Sequence, residues 1–243
     1  MKQLPLFILI IIGFLSGCGG GVGVHGGFVP TKTISGRGGD GLIRRALVGV
    51  DANANQQLEI REVRTLTGDD GSFEFEVKAS NNNPIILTGG IDSALEMPFQ
   101  GQLIAPMPTS TTVQMITPLT TLLAFGAEKF TLSVLLNLPL DMDWNQSDPA
   151  SHFELFRAGV QVKTLSTQLS NITKSPQFLV FKEIAGMNNF SVESLHSMAS
   201  SLAQTAVGLE DSILMHESFR AIGQATTRTD VIALEMLALD SFQ

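Results

Sequence analysis

Ser72-Phe73-Glu74-Phe75-Glu76-Val77 alternates apolar and charged side chains without a break. A period of two sends successive side chains to opposite faces of a strand, so the segment predicts a half-buried β-strand with Phe73, Phe75 and Val77 inward. Asp69-Asp70-Gly71 before it and Asn81-Asn82-Asn83-Pro84 after it carry turn chemistry. Outward from this strand, further short β-prone runs cover residues 42–50, 61–67, 85–88, 99–105 and 111–116. Strands at roughly 8–12-residue spacing predict a small antiparallel β-sandwich over residues 41–117.

The period changes at Pro118. Thr117 suits a helix cap and Pro118 a first turn, with Leu119, Leu122, Leu123 and Phe130 at helical spacing. A long helix is expected from Asp148-Pro149, with Phe153, Phe156, Val160, Val162, Leu165 and Leu169 as its apolar face. Further helices are expected over 176–185, 191–207, 211–222 and 230–239, with Ser191 and Asp211 as N-caps and Gly186, Gly208 and Gly223 as stops. The stripe Leu195, Met198, Ala199, Leu202 and Ala206 reads as bundle core, and Met187, Met198, Met215 and Met236 as core fillers. The expected fold class is therefore α+β, an N-terminal antiparallel β-sandwich followed by a C-terminal α-helical bundle over residues 118–243.

At the start, Met1-Lys2-Gln3 leads into an apolar run of residues 4–15 that ends in Leu15-Ser16-Gly17-Cys18. A charged start, a short apolar stretch and small residues before a cysteine read as a secretory signal peptide over residues 1–17. The run falls short of the roughly 20 apolar residues that a membrane span needs. These residues resemble the lipobox of bacterial lipoproteins, which implies a diacylglyceryl thioether on Cys18 and an acylated amino terminus. Two or more chains anchor stably, so the membrane is an expected partner through covalent lipid. Gly19 is not the aspartate linked to inner-membrane retention, which points to the outer membrane. Residues 18–40 are expected to be a Gly-rich tether. Within them Gly36-Arg37-Gly38-Gly39-Asp40-Gly41 matches G-x-G-x-x-G, but without the strand-then-helix context a dinucleotide site needs.

The chain has 15 basic and 23 acidic residues; loss of residues 1–17 removes only Lys2 and leaves a net charge of −9. No basic run is longer than Arg44-Arg45, which argues against a nucleic-acid partner. Cys18 is the single cysteine, so disulfides, thiolate nucleophiles and zinc-thiolate sites are excluded for the lipidated chain.

Between the first two predicted strands, Asp51, Asn53, Asn55, Gln57, Glu59 and Glu62 take positions 1, 3, 5, 7, 9 and 12 of a calcium-type loop, with apolar Leu58 at position 8. A hard cation requires oxygens in that number, and calcium is the expected cofactor. Gln56 replaces the glycine usual at position 6, and two neutral asparagines lower the ligand charge, toward an affinity of about 0.1–1 mM. The alternative for the same residues is an Asn-rich hairpin loop with solvated carboxylates.

Gly41-Leu42-Ile43, Ala46-Leu47-Val48, Val50-Asp51-Ala52-Asn53, Thr67 and Asp70-Gly71-Ser72-Phe73 resemble the carboxypeptidase-regulatory-like, transthyretin-like or serine-aspartate-repeat B-type modules of bacterial surface proteins. The resemblance implies an Ig-like or transthyretin-like sandwich and leaves the ligand open. Gly89-Gly90-Ile91-Asp92 and Thr117-Pro118-Leu119-Thr120-Thr121-Leu122-Leu123 are likewise similar to large secreted or surface-anchored bacterial proteins.

Catalytic patterns are sparse. His25, His152, His196 and His216 stand apart, there is no H-E-x-x-H or G-x-S-x-G, and Asp141, Asp143 and Asp148 read as solvated loop acids. The expected function is a lipid-anchored envelope protein with a non-catalytic binding, structural or adhesion role and a protein or glycan partner. The alternative is a lipid-anchored periplasmic enzyme or envelope assembly factor with its site in the helical half.

Overall fold

The computed structural model describes residues 29–39, 42–109 and 113–242. The signal peptide, Cys18 and the tether as far as residue 28 lie outside the described residues. Among the described residues ten strands come first: β1 (Thr31–Gly38), β2 (Ile43–Arg44), β3 (Leu47–Val50), β4 (Arg64–Leu66), β5 (Ser72–Lys78), β6 (Ile85–Thr88), β7 (Ile91–Asp92), β8 (Met97–Pro98), β9 (Gln102–Ala105) and β10 (Val113–Ile116). Seven helices follow among the same described residues: α1 (Pro118–Ala124), α2 (Lys129–Leu135), α3 (Phe153–Thr173), α4 (Gln177–Ala185), α5 (Val192–Ala203), α6 (Leu209–Gln224) and α7 (Arg228–Asp240). The chain is thus α+β, with small sheets in its N-terminal half and helices in its C-terminal half.

In β5 the alternation is realised: Phe73, Phe75 and Val77 are buried, while Glu74 and Glu76 face solvent. The strands form three sheets, ordered β10-β1-β5, β2-β7-β8 and β4-β3-β6-β9. Arg45 takes a left-handed backbone (φ 56°) and divides the expected run 42–50 into β2 and β3.

Two further features of the strands depart from the sequence reading. Residues 31–38, expected as the end of the tether, form β1 and pair with β5 from Thr31–Lys78 to Arg37–Ser72. Glycine is there for close approach rather than for flexibility, because a Cβ at Gly36 would lie 2.0 Å from the Gln114 carbonyl oxygen and 2.6 Å from Phe73. The arrangement is also not wholly antiparallel, since β10 runs parallel to β1 with Gly38 opposite Ile116. The long connection between these two strands permits that direction.

Thr117 and Thr120 form a reciprocal capping box: Thr120 N–H donates to Thr117 Oγ1 (3.1 Å) and Thr117 N–H to Thr120 Oγ1 (2.8 Å). The single helix expected through Phe130 is divided at Gly126, whose φ of +86° ends α1 before α2 begins. Ser191 caps α5, whereas α6 is capped at Gly208, with Asp211 in its first turn, and continues past Gly223 to Gln224. Met198 and Met215 are buried and Met187 packs against the core, but Met236 is 48% exposed because α7 turns Val231, Glu235 and Ala238 inward instead.

One cluster of buried apolar side chains runs through both halves, from Ile34 and Phe75 through Leu119 and Leu122 to Leu165 and Phe181. Polar contacts cross the same boundary: Ile104 N–H donates to Thr121 Oγ1 (2.9 Å), and Gln102 N–H to Gln177 Oε1 (3.0 Å).

Candidate functional site

The loop between β3 and β4 winds around Asp51, whose side chain is fully buried. Its carboxylate accepts the N–H groups of Asn55 (3.0 Å) and Gln56 (2.7 Å), and Asn53 Oδ1 accepts the same Asn55 N–H at 3.0 Å. Asn55 Oδ1 accepts Gln57 N–H (2.9 Å), a second Asx-type turn. Ala54 and Gln56 both adopt left-handed backbone, φ 56° and 64°. The missing glycine at position 6 is therefore answered by strain rather than by a different path.

The acidic positions also face into the loop. Glu59 Oε1 accepts from the side-chain amides of Asn53 (3.3 Å) and Asn55 (2.9 Å), and Glu62 accepts Ala52 N–H (2.7 Å) and Glu59 N–H (2.8 Å). The structure thus brings Asp51, Asn53, Asn55 and Glu59 into one hydrogen-bonded group, with Glu62 closing the loop. Among the described residues, no three His, Cys, Asp or Glu side chains converge to hold a metal ion. A cation here would depend on the asparagine oxygens as well as the carboxylates. These donors are oxygens, the set a hard cation takes, and Gln57 would offer its carbonyl at position 7.

Among the described residues, other titratable side chains that the sequence singles out make local contacts. His196 Nδ1 sits 3.2 Å from Ser212 Oγ, and Asp148 accepts from Arg37 (3.1 Å) and Ala150 N–H (2.8 Å). Asp143 accepts Asn145 N–H (2.9 Å), so the loop acids serve turns.

A second site was missed by the sequence reading. Lys163 on α3, Asp92 on β7 and Glu235 on α7 meet in the interior, with side chains 6%, 4% and 0% exposed. Lys163 Nζ lies 2.6 Å from Asp92 Oδ2 and 2.9 Å from Glu235 Oε1. Asp92 Oδ1 also accepts Ala94 N–H (2.9 Å). Above this group opens a cavity of about 500 Å³, walled by residues of the β7–β9 segment and by α3, α4 and α7. One signal was readable: Glu235 stands in the inward stripe Val231, Glu235 and Ala238, where an apolar residue is expected.

Gln102 links the two sites. Its backbone N–H is held by Gln177 at the cavity wall, and its side-chain Nε2 donates to the Gln56 carbonyl of the loop at 2.8 Å. In comparison with known proteins, no family model, curated protein or solved structure matches the chain. Among the described residues no helix is long and apolar enough to cross a membrane.

Proposed function

We propose that the chain is a lipid-anchored bacterial envelope protein, held by lipid on Cys18 and directed to the outer membrane, with a non-catalytic binding or structural role and a protein or glycan partner. In this reading the larger sheets form a transthyretin-like sandwich, and calcium stiffens the loop of residues 51–62. The observation that supports the calcium assignment is the loop's backbone: with Ala54 and Gln56 left-handed, the side-chain oxygens of Asp51 and Asn53 meet at the Asn55 N–H. Calcium would be held by Asp51, Asn53, Asn55, Glu59 and Glu62 with the Gln57 carbonyl, and would supply positive charge to a loop that carries three carboxylates.

Thermal unfolding with and without calcium tests this role. Binding to the native state alone stabilises by RT ln(1 + [L]/Kd), about 1.4 kcal/mol at about 10 times Kd. The Tm is expected to rise by a few degrees, return with chelator, and stay unchanged by calcium in an Asn53→Ala, Glu59→Ala double variant. Equal rises in parent and variant would place the metal elsewhere. Anchoring is tested by Cys18→Ala, which should leave the membrane fraction and lose labelled fatty acid; unchanged fractionation would remove the anchor from the proposal.

A second reading, an enzyme or assembly factor with its site in the helical half, draws on the cavity over Lys163. Its hydroxyls serve backbone carbonyls: Thr167 Oγ1 donates to Lys163 O (2.9 Å) and Ser170 Oγ to Ser175 O (2.7 Å). That arrangement suits a wall for ligand binding better than an activated nucleophile.

A further inference from the structure

A cavity of about 390 Å³ opens between the end of α2, helix α3, the start of α5 and helix α6, and it shares no lining residue with the cavity over Lys163. Its volume falls within the range of small-molecule sites, roughly 300–1,000 Å³. One face of α6 forms the wall, because His216, Phe219, Arg220 and Gly223 stand at i, i+3, i+4 and i+7. Gly223 makes room there for the buried Gln161 of α3: a Cβ at Gly223 would lie 2.3 Å from Gln161 Nε2. That nitrogen donates to the Phe219 carbonyl at 3.0 Å, which fixes which way the amide points. Gln161 Oε1 is left as a buried acceptor with no hydrogen-bond partner among the described residues.

Charge and shape decide what the cavity takes. Arg220 and His216 line it, and none of the described residues lining it is acidic, in a chain with 23 acidic and 15 basic residues. His216 is partly answered from α5: the Glu193 N–H and the Ser191 side chain, and behind them the His216 charge, hold the Glu193 carboxyl below its usual value. Arg220 therefore sets the sign, and a guanidinium takes a carboxylate through paired N–H donors. The Gln161 oxygen asks for a donor, and a neutral one suits it, since an ammonium would stand beside Arg220 on the same face. Three residues of helix separate Arg220 from Gly223, about 4.5 Å along the axis, a span that a carboxylate and an N–H on the neighbouring carbon can bridge. The rings of Phe190 and Phe219, 4.5 Å apart at their centroids, give the apolar side.

We infer that the cavity between α2, α3, α5 and α6 binds a carboxylate that carries a neutral N–H and an apolar side chain on the adjacent carbon, the chemistry of an N-acylated apolar amino acid, free or at the end of a peptide. The carboxylate lies on Arg220, the N–H donates to Gln161 Oε1, and the side chain lies against Phe190 and Phe219. The inference goes beyond the calcium loop and the lipid anchor and depends on neither.

Titration calorimetry on the full chain provides the test. The probe is N-acetyl-L-leucine, with N-acetyl-L-leucinamide lacking the carboxylate and 4-methylpentanoate lacking the N–H. N-acetyl-L-leucine is expected to bind, and each counterpart to bind about tenfold more weakly or worse. Acetyl-Gly-Gly-Leu presents the same groups at a peptide end; binding of either ligand supports the inference, and the tighter one names the source. Gln161→Leu should bring N-acetyl-L-leucine down to the level of 4-methylpentanoate. Because Gln161 is buried, Arg220→Gln, at an exposed position, is the second variant, and it should lose about tenfold or more. Failure of both N-acetyl-L-leucine and the peptide to bind, equal binding of the probe and its two counterparts, or undiminished binding in Arg220→Gln would each overturn the inference.

Discussion

Lys163 Nζ and Asp92 Oδ2 stand 2.6 Å apart across 71 positions of the chain, and they join the 21-residue helix α3 to the two-residue strand β7. Glu235 meets the same ammonium from the last helix at 2.9 Å. Removing one member of a buried ion pair leaves uncompensated charge, at a cost of about 3–5 kcal/mol. Lys163→Met should therefore lower stability by that amount in urea unfolding. Adding Glu235→Leu should recover part of it, because Asp92 still has N–H donors from Ala94 and Leu95 while the other buried carboxylate is gone. Equal stability of the single and double variants would show that the ion pairs do not hold these elements together.

Gly36→Ala tests whether residues 31–38 belong to the fold. The added methyl would sit 2.0 Å from the Gln114 carbonyl oxygen, a backbone atom of β10 that cannot move without disturbing the sheet. Overpacking of this kind costs about 1–3 kcal/mol. A tether would tolerate the change, so a Tm equal to the parent's would return this segment to the linker.

β1 also shows why part of the fold was hard to see. Its apolar content is low, with Ile34 as the one large aliphatic between Thr31 and Gly38, and its glycines resemble those of a flexible spacer. They are required by neighbours distant in sequence: Phe73 and Gln114 crowd Gly36, and Leu87 crowds Gly38. By contrast, β5 and the helix cap at Thr117 announce themselves through period and local chemistry, and both were legible. The 51–62 loop was legible for the same reason, since its hydrogen bonds run between residues a few positions apart. The Lys163, Asp92 and Glu235 group was not, because its members belong to three different elements. Only the acid in the inward stripe of α7 marked it.

Helix α2 should respond to acid at its first turn. The Thr131 side chain, and after it the N–H groups of Thr131 and Phe130, donate to the Glu128 carboxylate and hold its pKa below the usual value for glutamate. A depressed pKa in the folded state contributes stability that is present above the unfolded pKa and lost as pH falls through the folded one. NMR titration of Glu128 should give a midpoint below that of a free glutamate. In Glu128→Gln this part of the acid dependence should vanish, with the N-terminal amides of α2 exchanging faster at neutral pH.

Gln56 is the place where the calcium-type loop departs from the usual sequence, and its backbone pays for that departure with φ of 64°. Left-handed backbone costs an L-residue about 1–2 kcal/mol, a penalty that glycine does not carry. Glycine returns part of the gain through the greater freedom of the unfolded chain, about 0.4–1 kcal/mol. The side chain contributes little in compensation, since Gln56 Oε1 is buried without a hydrogen-bond partner among the described residues. The Gln102 contact is to the backbone carbonyl and survives substitution. Gln56→Gly should therefore stabilise the protein by about 0.5–1 kcal/mol, seen as a rise in Tm of about 1–4 °C. Gln57→Gly is the control, because Gln57 is not left-handed and gains nothing from glycine; its Tm should fall. If both variants fall alike, strain at Gln56 is not what separates this loop from one with glycine at position 6.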